Sequence, residues 1–442
     1  MNADFLAQRL TELDSYRRFG KISHVVGLLI ESKGPASSIG DVCLIHLRDG
    51  REVLKAEVVG FREENVLLMP YAPASRIAPG CLVEATGKPL EIRVNEELIG
   101  QVCDSVGNPM SEMKFTKGFD KVPTNRKPPD PLKRPPITEP IELGVRSING
   151  LLTVGKGQRI GIFAGSGVGK STLMGMIARN TSADLNVIAL IGERGREVNE
   201  FLENDLGEEG RKRSIVVVAT SDQPALVRIK GAMTATSIAE YFRDRGKNVL
   251  FMLDSLTRVA MSQREIGLAV GEPPTTKGYP PSVFALLPQL LERTGTDRSG
   301  TITAFYTVLV DGDDMDEPIA DTARGILDGH IVLDRALAQK GQYPAVNLLK
   351  SVSRVMTQID SPEHLQAAAR FRKLLSQYTE SEDLINIGAY KKGSSAAIDA
   401  AVQYHPKMID YLTQQKAERI TLQQSVETLL KQFGEEAGMN GD

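Results

Sequence analysis

A chain of 442 residues, 41% hydrophobic and 25% charged, holds enough apolar mass for two or three domains with cores of their own, which excludes bulk disorder. Its 53 basic and 56 acidic side chains leave a net charge of -3, so the basic surplus of a protein that grips nucleic acid through its phosphates is absent. Cys43, Cys81 and Cys103 are odd in number, far apart and in no CxxC pair, which removes the basis for a disulfide framework or structural zinc and fits a reducing cytoplasm.

Residues 1–19 read as an amphipathic helix, with Leu6, Leu10, Leu13 and Tyr16 on one face and a stop near Gly20. From about 22 to 90 the pattern turns to short β-rich runs: His24 to Glu31, Val42 to Leu47, Glu52 to Phe61, Asn65 to Met69 and Cys81 to Ala85. Asp49-Gly50 and Pro79-Gly80 turns punctuate them, as in a small β-barrel. Seven of the eighteen residues from Pro123 to Pro140 are proline, which forbids regular helix and favours an extended crossing segment.

Strands then alternate with helices. The predicted strands are Arg159 to Ala164, Val187 to Glu193, Ile215 to Thr220, Asn248 to Asp254 and Thr301 to Val310, with helices starting at Ser171 and about Pro224. This βαβ alternation predicts a parallel sheet covered on both faces, with Ile215 to Val218 and Val249 to Leu253 as buried central strands. Beyond Arg354 the strands stop; residues 361–434 read as helices, and the tail 434–442 as a frayed end.

The chemistry is carried by Ala164-Gly165-Ser166-Gly167-Val168-Gly169-Lys170-Ser171-Thr172, a P-loop pattern lying between predicted strand and helix. Its glycines let backbone N–H groups wrap a phosphate at a helix N-terminus, Lys170 can reach the β- and γ-phosphates, and the Ser171 hydroxyl can ligate Mg²⁺. Asn248 to Asp254 is an apolar strand ending in a carboxylate, the Walker B arrangement; an Asp that merely caps the following helix has the same pattern. Glu193, in Ile191-Gly192-Glu193-Arg194-Gly195-Arg196, stands at the C-terminal end of a predicted parallel strand, where open α/β sheets place their sites, and can polarise an attacking water or form a surface ion pair.

Other patterns carry less. Asp311 to Asp316 starts like a Ca²⁺ loop but lacks Gly at its sixth position and has Thr322 in place of the bidentate Glu. Gly155-Lys156-Gly157-Gln158 precedes a strand rather than a helix, which makes it a turn. His24, His46, His330, His364 and His405 lack the i, i+4 pairing of a helical metal site. No apolar run approaches the roughly 20 residues of a membrane span, and Asp4, Arg9, Glu12 and Asp14 leave no signal-peptide core, so neither secretion by that route nor membrane integration is expected.

Taken together, AGSGVGKST, IGERGRE, the Asp254 strand and PAVNLLKSVSR (Pro344 to Arg354) resemble the catalytic subunits of rotary ATPases, and the stretches around them resemble the flagellar branch of the type III secretion ATPases. The resemblance spans nearly the whole chain. It implies an α/β fold: a RecA-like P-loop ATPase domain with a parallel sheet (91–356), preceded by a small β-barrel (22–90) and followed by a helical domain (357–442). An amphipathic segment (1–21) would bind a partner, and six copies would form a ring.

Carried over residue by residue, Lys170 and Ser171 match the phosphate and Mg²⁺ contacts, Glu193 the catalytic base, Arg194 the arginine beside it, and Asp254 the Walker B acid. Tyr343 matches the aromatic that stacks on adenine, and Arg354 the arginine finger that reaches a neighbouring subunit's γ-phosphate, although a structural ion pair would use the same residue type. Arg258 follows the acid in the family's helix, and the Gly271 to Pro281 loop with Lys277 has its counterpart near the ring opening.

Implied cofactors are ATP and Mg²⁺. Implied partners are other copies of the chain, the regulator FliH at the N-terminal helix, the stalk-like FliJ in the ring centre, and the export gate with chaperone–cargo complexes. Nucleic acid is not among them, and the implied location is cytoplasmic and peripheral at the inner-membrane export apparatus.

Three alternatives share these features: an injectisome export ATPase, a rotary ATP synthase subunit, and a non-catalytic docking scaffold for cargo. A Rho-like RNA translocase shares the core but is disfavoured by the acidic balance and by the lack of Trp and of an aromatic-basic cluster in the barrel.

Overall fold

The computed structural model describes residues 16–48, 52–72, 76–113, 115–310 and 314–434. Six antiparallel strands, β1 (Phe19–Val26), β2 (Leu29–Lys33), β3 (Asp41–His46), β4 (Val53–Arg62), β5 (Asn65–Pro70) and β6 (Leu82–Pro89), close into a barrel in the order β1-β2-β5-β4-β3-β6. Alternation sends Ile22, Ile30, Cys43, Ile45, Val58, Leu68 and Val83 into its core.

The run from His24 to Glu31 is a hairpin rather than one strand. Gly27 takes φ +58°, a conformation open to glycine, and Val26 pairs back with Leu29. The expected N-terminal helix falls mostly on residues 1–15, outside the described residues. Gly20 does not end a helix but lies within β1, where a Cβ would meet the Gly34 carbonyl carbon at 2.1 Å, so only glycine lets the chains cross there. The Asp49-Gly50 turn and the 435–442 tail also lie outside the described residues, whereas Gly80 forms the expected turn with φ +93°.

Past the barrel, β7 (Glu91–Val94) pairs with β9 (Asp120–Pro123), and β8 (Val102–Cys103) joins the edge of the main sheet. The proline-rich segment is extended apart from one turn at Pro131–Lys133. It is held where Arg293 Nη1 donates to Thr124 O at 2.8 Å and Arg134 Nη1 to Thr294 O at 2.9 Å.

The remaining strands are β10 (Arg159–Ala164), β11 (Leu185–Ile191), β12 (Ser214–Ala219), β13 (Asn248–Asp254), β14 (Gly295–Thr296), β15 (Thr301–Leu309), β16 (Gly329–Leu333) and β17 (Val346–Ser353). They order as β17-β16-β10-β15-β13-β11-β12-β8, parallel except for β17 and for β14, which pairs beside β15. β12 is therefore not central; it is the last long strand, fully buried because helices cover both faces and β8 covers its edge.

Period-two alternation feeds two cores. Val249, Phe251 and Leu253 enter one, Leu250 and Met252 the other. Helices α1 (Lys170–Asn180), α2 (Ala225–Arg243), α3 (Leu256–Val270), α4 (Pro281–Leu291) and α5 (Pro318–Ile326) supply the layers, with α1 alone among them in the second core.

The C-terminal helices α6 (Pro362–Asn386), α7 (Ala396–Leu412) and α8 (Leu422–Phe433) pack into that same second core. Phe371, Tyr411 and Phe433 form their aromatic knot, with Phe371 and Phe433 4.7 Å apart and each burial worth about 1.5–3 kcal/mol. Packing on the α1 layer brings the α7–α8 loop beside the P-loop. Among the described residues, no helix is long and apolar enough to cross a membrane, and no three His, Cys, Asp or Glu side chains gather as a metal cluster.

Candidate active site

Strand β10 ends at Ala164, the chain turns through Gly165 to Gly169, and α1 starts at Lys170. Gly167 (φ +77°) and Gly169 (φ +88°) supply the left-handed turns, and α1 has no side-chain cap, which leaves its first amides to an anion.

Three charged groups meet at the C-terminal edge of the sheet. Lys170 Nζ is ion-paired with Asp254 Oδ1 at the end of β13 and lies 3.6 Å from Glu193 Oε1, just past β11. Thr307 Oγ1 donates to Asp254 Oδ1 at 2.7 Å, orienting the carboxylate. The helix-cap alternative for Asp254 fails because Ser255 takes that role: its hydroxyl accepts from Arg258 N at 3.3 Å at the start of α3.

Burial works against the Lys170 charge, but Asp254 and Glu193 outweigh it and hold its pKa above the ordinary lysine value. Burial, then the Asp254 charge, push the Glu193 carboxyl up to about 7 against the pull of Lys170, and a hydrogen bond with Glu197 adds to the rise.

Ser171, Glu193, Glu197, Phe201, Asp205 and Asp254 share a cavity of about 120 Å³. A hydroxyl and a carboxylate on one small cavity are the oxygen donors Mg²⁺ takes, so Ser171 and Asp254 fit that ion.

Arg194 is not brought to this cluster. Its side chain is 83% exposed and pairs with Glu197 at 3.8 Å. Arg258 packs behind Gly192, where a Cβ would meet Arg258 Cβ at 2.7 Å, and its Nε is buried without a hydrogen-bond partner. Lys277 is paired with Asp314 at 3.3 Å. Asp311 and Asp313 of the acidic run lie outside the described residues.

A second cavity of about 330 Å³ lies on the other side of α1, lined by Gly169, Thr172, Met176, Tyr343, Pro344 and Gln414 among others. The Tyr343 ring is half exposed and stands 3.5 Å from where a Gly169 Cβ would be, so it overhangs the P-loop. Gln414 N donates to Tyr343 O at 2.8 Å, tying the α7–α8 loop to that wall.

Arg354 is elsewhere. Strand β17 runs antiparallel to β16, Ser353 pairs with Gly329, and Gln158 Nε2 donates to Ser353 Oγ at 3.1 Å, so Arg354 sits by the start of β10. The six residues of β10 separate it from the P-loop by roughly 20 Å at about 3.3 Å per residue. There Arg354 is exposed and donates from Nη2 to Arg324 O at 3.3 Å.

Sequence reading singled out Lys170, Ser171, Glu193 and Asp254, which do converge. Glu197, the last residue of IGERGRE, enters the same cavity from the first turn of the helix Gly195–Glu200, while nothing local in the sequence marks Asp205 or Gln414.

Three family descriptions cover the chain: the ATP synthase alpha/beta family β-barrel domain over 22–87, its nucleotide-binding domain over 144–353, and the T3SS EscN ATPase C-terminal domain over 361–431. The flagellum-specific ATP synthase of Bacillus subtilis (strain 168) is 67% identical over 437 residues, 99% of this chain and 100% of the relative. The type 3 secretion system ATPase of Xanthomonas euvesicatoria is 51% identical over 409 residues, 92% of each.

Among solved structures, the assembled ATPase EscN of the enteropathogenic E. coli type III secretion system superposes with TM-score 0.88 at 45% identity, covering 94% of this chain and 100% of EscN. EscN in complex with its central stalk EscO gives TM-score 0.86 at 45% identity, with the same coverage. With near-full-length identity to these relatives and a P-loop site of this construction, the chain is a P-loop ATPase that belongs to the flagellum-specific ATP synthase and type III secretion system ATPase family.

Proposed function

We propose that this chain hydrolyses Mg²⁺-bound ATP at the interfaces of a homohexameric ring and so energises the export of flagellar proteins through a type III export apparatus. The observation that carries the reading is the division of labour within one chain. Lys170, Ser171, Glu193 and Asp254 sit at one edge of the sheet and Arg354 at the other, so a site with a finger needs two copies. A head-to-tail contact repeated around a ring supplies that pairing six times over. The EscN relative was solved as an assembled ATPase.

In this reading the P-loop amides and Lys170 hold the phosphates, and the anion draws Lys170 away from its two carboxylates. Glu193, freed from that ion pair, takes the proton of the attacking water on its carboxylate. Arg354 of the neighbouring copy stabilises charge on the transferring phosphoryl group, a contribution of about 10³ to 10⁵ in rate for fingers of this type. Ser171 and Asp254 would hold Mg²⁺, which would supply positive charge against the charge that develops on the phosphates. Tyr343 offers its ring to adenine, and Arg194 serves from the solvent side of the Glu193 turn.

The higher identity to the Bacillus flagellar relative than to the Xanthomonas one favours flagellar cargo. FliH at the N-terminal segment (1–21), a FliJ-like stalk in the ring centre by analogy with EscN and its stalk EscO, and the export gate with chaperone-bound cargo complete the proposed setting. It is cytoplasmic, at the inner-membrane export apparatus.

The test is ATPase activity measured against protein concentration, with oligomer size recorded with and without nucleotide. Specific activity should climb steeply as hexamers form; constant specific activity down to monomers would overturn the shared site.

A further inference from the structure

Two cavities flank α1, and one ion pair joins them. Asp205 lines the cavity that holds Glu193 and Asp254, while Lys416 lines the cavity beneath Tyr343. Lys416 Nζ lies 2.9 Å from Asp205 Oδ1, with the Asp205 side chain 13% exposed and the Lys416 side chain 43% exposed. Lys416 is also held by its backbone: its carbonyl accepts from Arg179 Nη2, in the last turn of α1, at 2.9 Å. Two residues before it, Gln414 ties the same loop to Tyr343, and the Gln414 side chain is spent on Gly144 O and Arg146 N, each at 2.8 Å.

Asp205 occupies an unusual piece of backbone. Phe201–Leu206 is a π-helical turn that follows the short helix Gly195–Glu200, which carries Glu197. Wide turns of this kind interrupt the regular i→i−4 ladder and recur at functional sites. The turn is pressed on α1 at Gly175, where a Cβ would meet Asp205 O at 2.4 Å. Any shift of the α7–α8 loop relative to α1 therefore pulls on the turn through Asp205, and the turn leads straight back to Glu197 and Glu193.

We propose that Asp205 and Lys416 are a positioning pair that couples the base-binding wall to the catalytic carboxylate, so that seating the base under Tyr343 fixes Glu193 for hydrolysis. The proposal rests on the reading of Glu193 as base and Tyr343 as base platform. Neither residue touches the reacting atoms; they act through the turn and the loop. Ion pairs with one half-exposed partner are individually modest, so each loss changes rate by a few-fold rather than abolishing it.

The test compares Asp205→Asn, Lys416→Gln and the double variant in assembled rings, with Glu193→Gln as control. Each single change should lower kcat by roughly two- to fivefold, and Asp205→Asn, which lies outside the base cavity, should leave ADP affinity within about twofold. The double variant should fall no further than the worse single, because the same link is cut once. A pair that is merely structural would lower the thermal midpoint and leave kcat per folded ring unchanged, which would overturn the proposal, as would losses that multiply in the double variant. If Glu193→Gln kept parental activity, the underlying reading would fail. If it is inactive while the other three keep parental kcat, the positioning proposal alone fails.

Discussion

Lys170 and Arg354 stand at opposite ends of one mostly parallel sheet. Lys170 follows the C-terminal end of β10, whereas β17 turns back along β16 and delivers Arg354 to the end where β10 begins. An arginine so placed cannot serve the phosphates bound by its own P-loop. It is instead presented, exposed, at the far edge of the domain, anchored by the Arg324 carbonyl in the last turn of α5. That carbonyl end of the helix favours a cation.

Hydrolysis should carry an acid limb set by Glu193. Its carboxyl is pushed up to about 7, so below that pH it is protonated and cannot accept a proton from water. The profile of kcat/KM, which reports the free enzyme, should rise toward neutral pH and level above it. Glu197→Gln removes a neighbouring carboxyl that raises the Glu193 value, so the limb should move to lower pH. An unmoved limb in that variant would break the assignment.

Tyr343→Ala should raise the KM for ATP by about two- to twelvefold, the range a single aromatic stack supplies, and, because seating the base also fixes Glu193, lower kcat by a few-fold. Tyr343→Phe keeps the ring and should behave as the parent. Steady-state kinetics on rings of matched size separates the two. Equal KM values for parent and alanine variant would remove Tyr343 from the base site.

Lys170→Ala removes the cation shared by the buried Asp254 and the half-buried Glu193 carboxylates as well as the group that reaches the phosphates. ATP turnover should be lost, and with it the export of flagellar proteins from cells carrying only this variant. Secretion assays decide between the ATPase reading and the docking scaffold, since full export by the variant would favour the scaffold.

Local spacing made the P-loop legible: glycines at fixed offsets, a strand before and a helix after. Asp254 is half legible, because a carboxylate after an apolar strand reads the same as metal ligand or cap, and only the Ser255 hydroxyl on Arg258 N removes the cap. Strands β16 and β17 were not singled out, since Gly329–Leu333 is short and the Lys350 and Ser351 positions of β17 break the apolar pattern of a covered strand. The hairpin at Gly27 was hidden because Val25, Val26, Leu28 and Leu29 run on as apolar sequence through the turn. What no spacing encodes is that Arg354 and Lys170 share a domain but not a site. That depends on β17 reversing direction, a fact of tertiary pairing.

Stability of the ATPase domain should hinge on a pair remote from the nucleotide. Glu240 and Arg293 are both nearly fully buried and meet through two bonds of 2.8 and 3.0 Å, while Arg293 also holds Thr124 O on the proline-rich crossing segment. Glu240→Gln strands a buried guanidinium and should cost roughly 3–5 kcal/mol, read as a lower denaturant midpoint. A midpoint equal to the parent's would show that the crossing segment is held by other contacts.

The shared site itself is tested most directly by mixing. Glu193→Gln and Arg354→Ala each leave every site of a pure ring defective, but in random mixed rings about a quarter of interfaces combine an intact Glu193 on one copy with an intact Arg354 on the next. Co-assembled at equal amounts, the two inactive variants should regain up to about a quarter of parental ATPase activity. Mixed rings that form yet stay inactive, or pure Arg354→Ala rings that turn over at the parental rate, would contradict a site built from two chains.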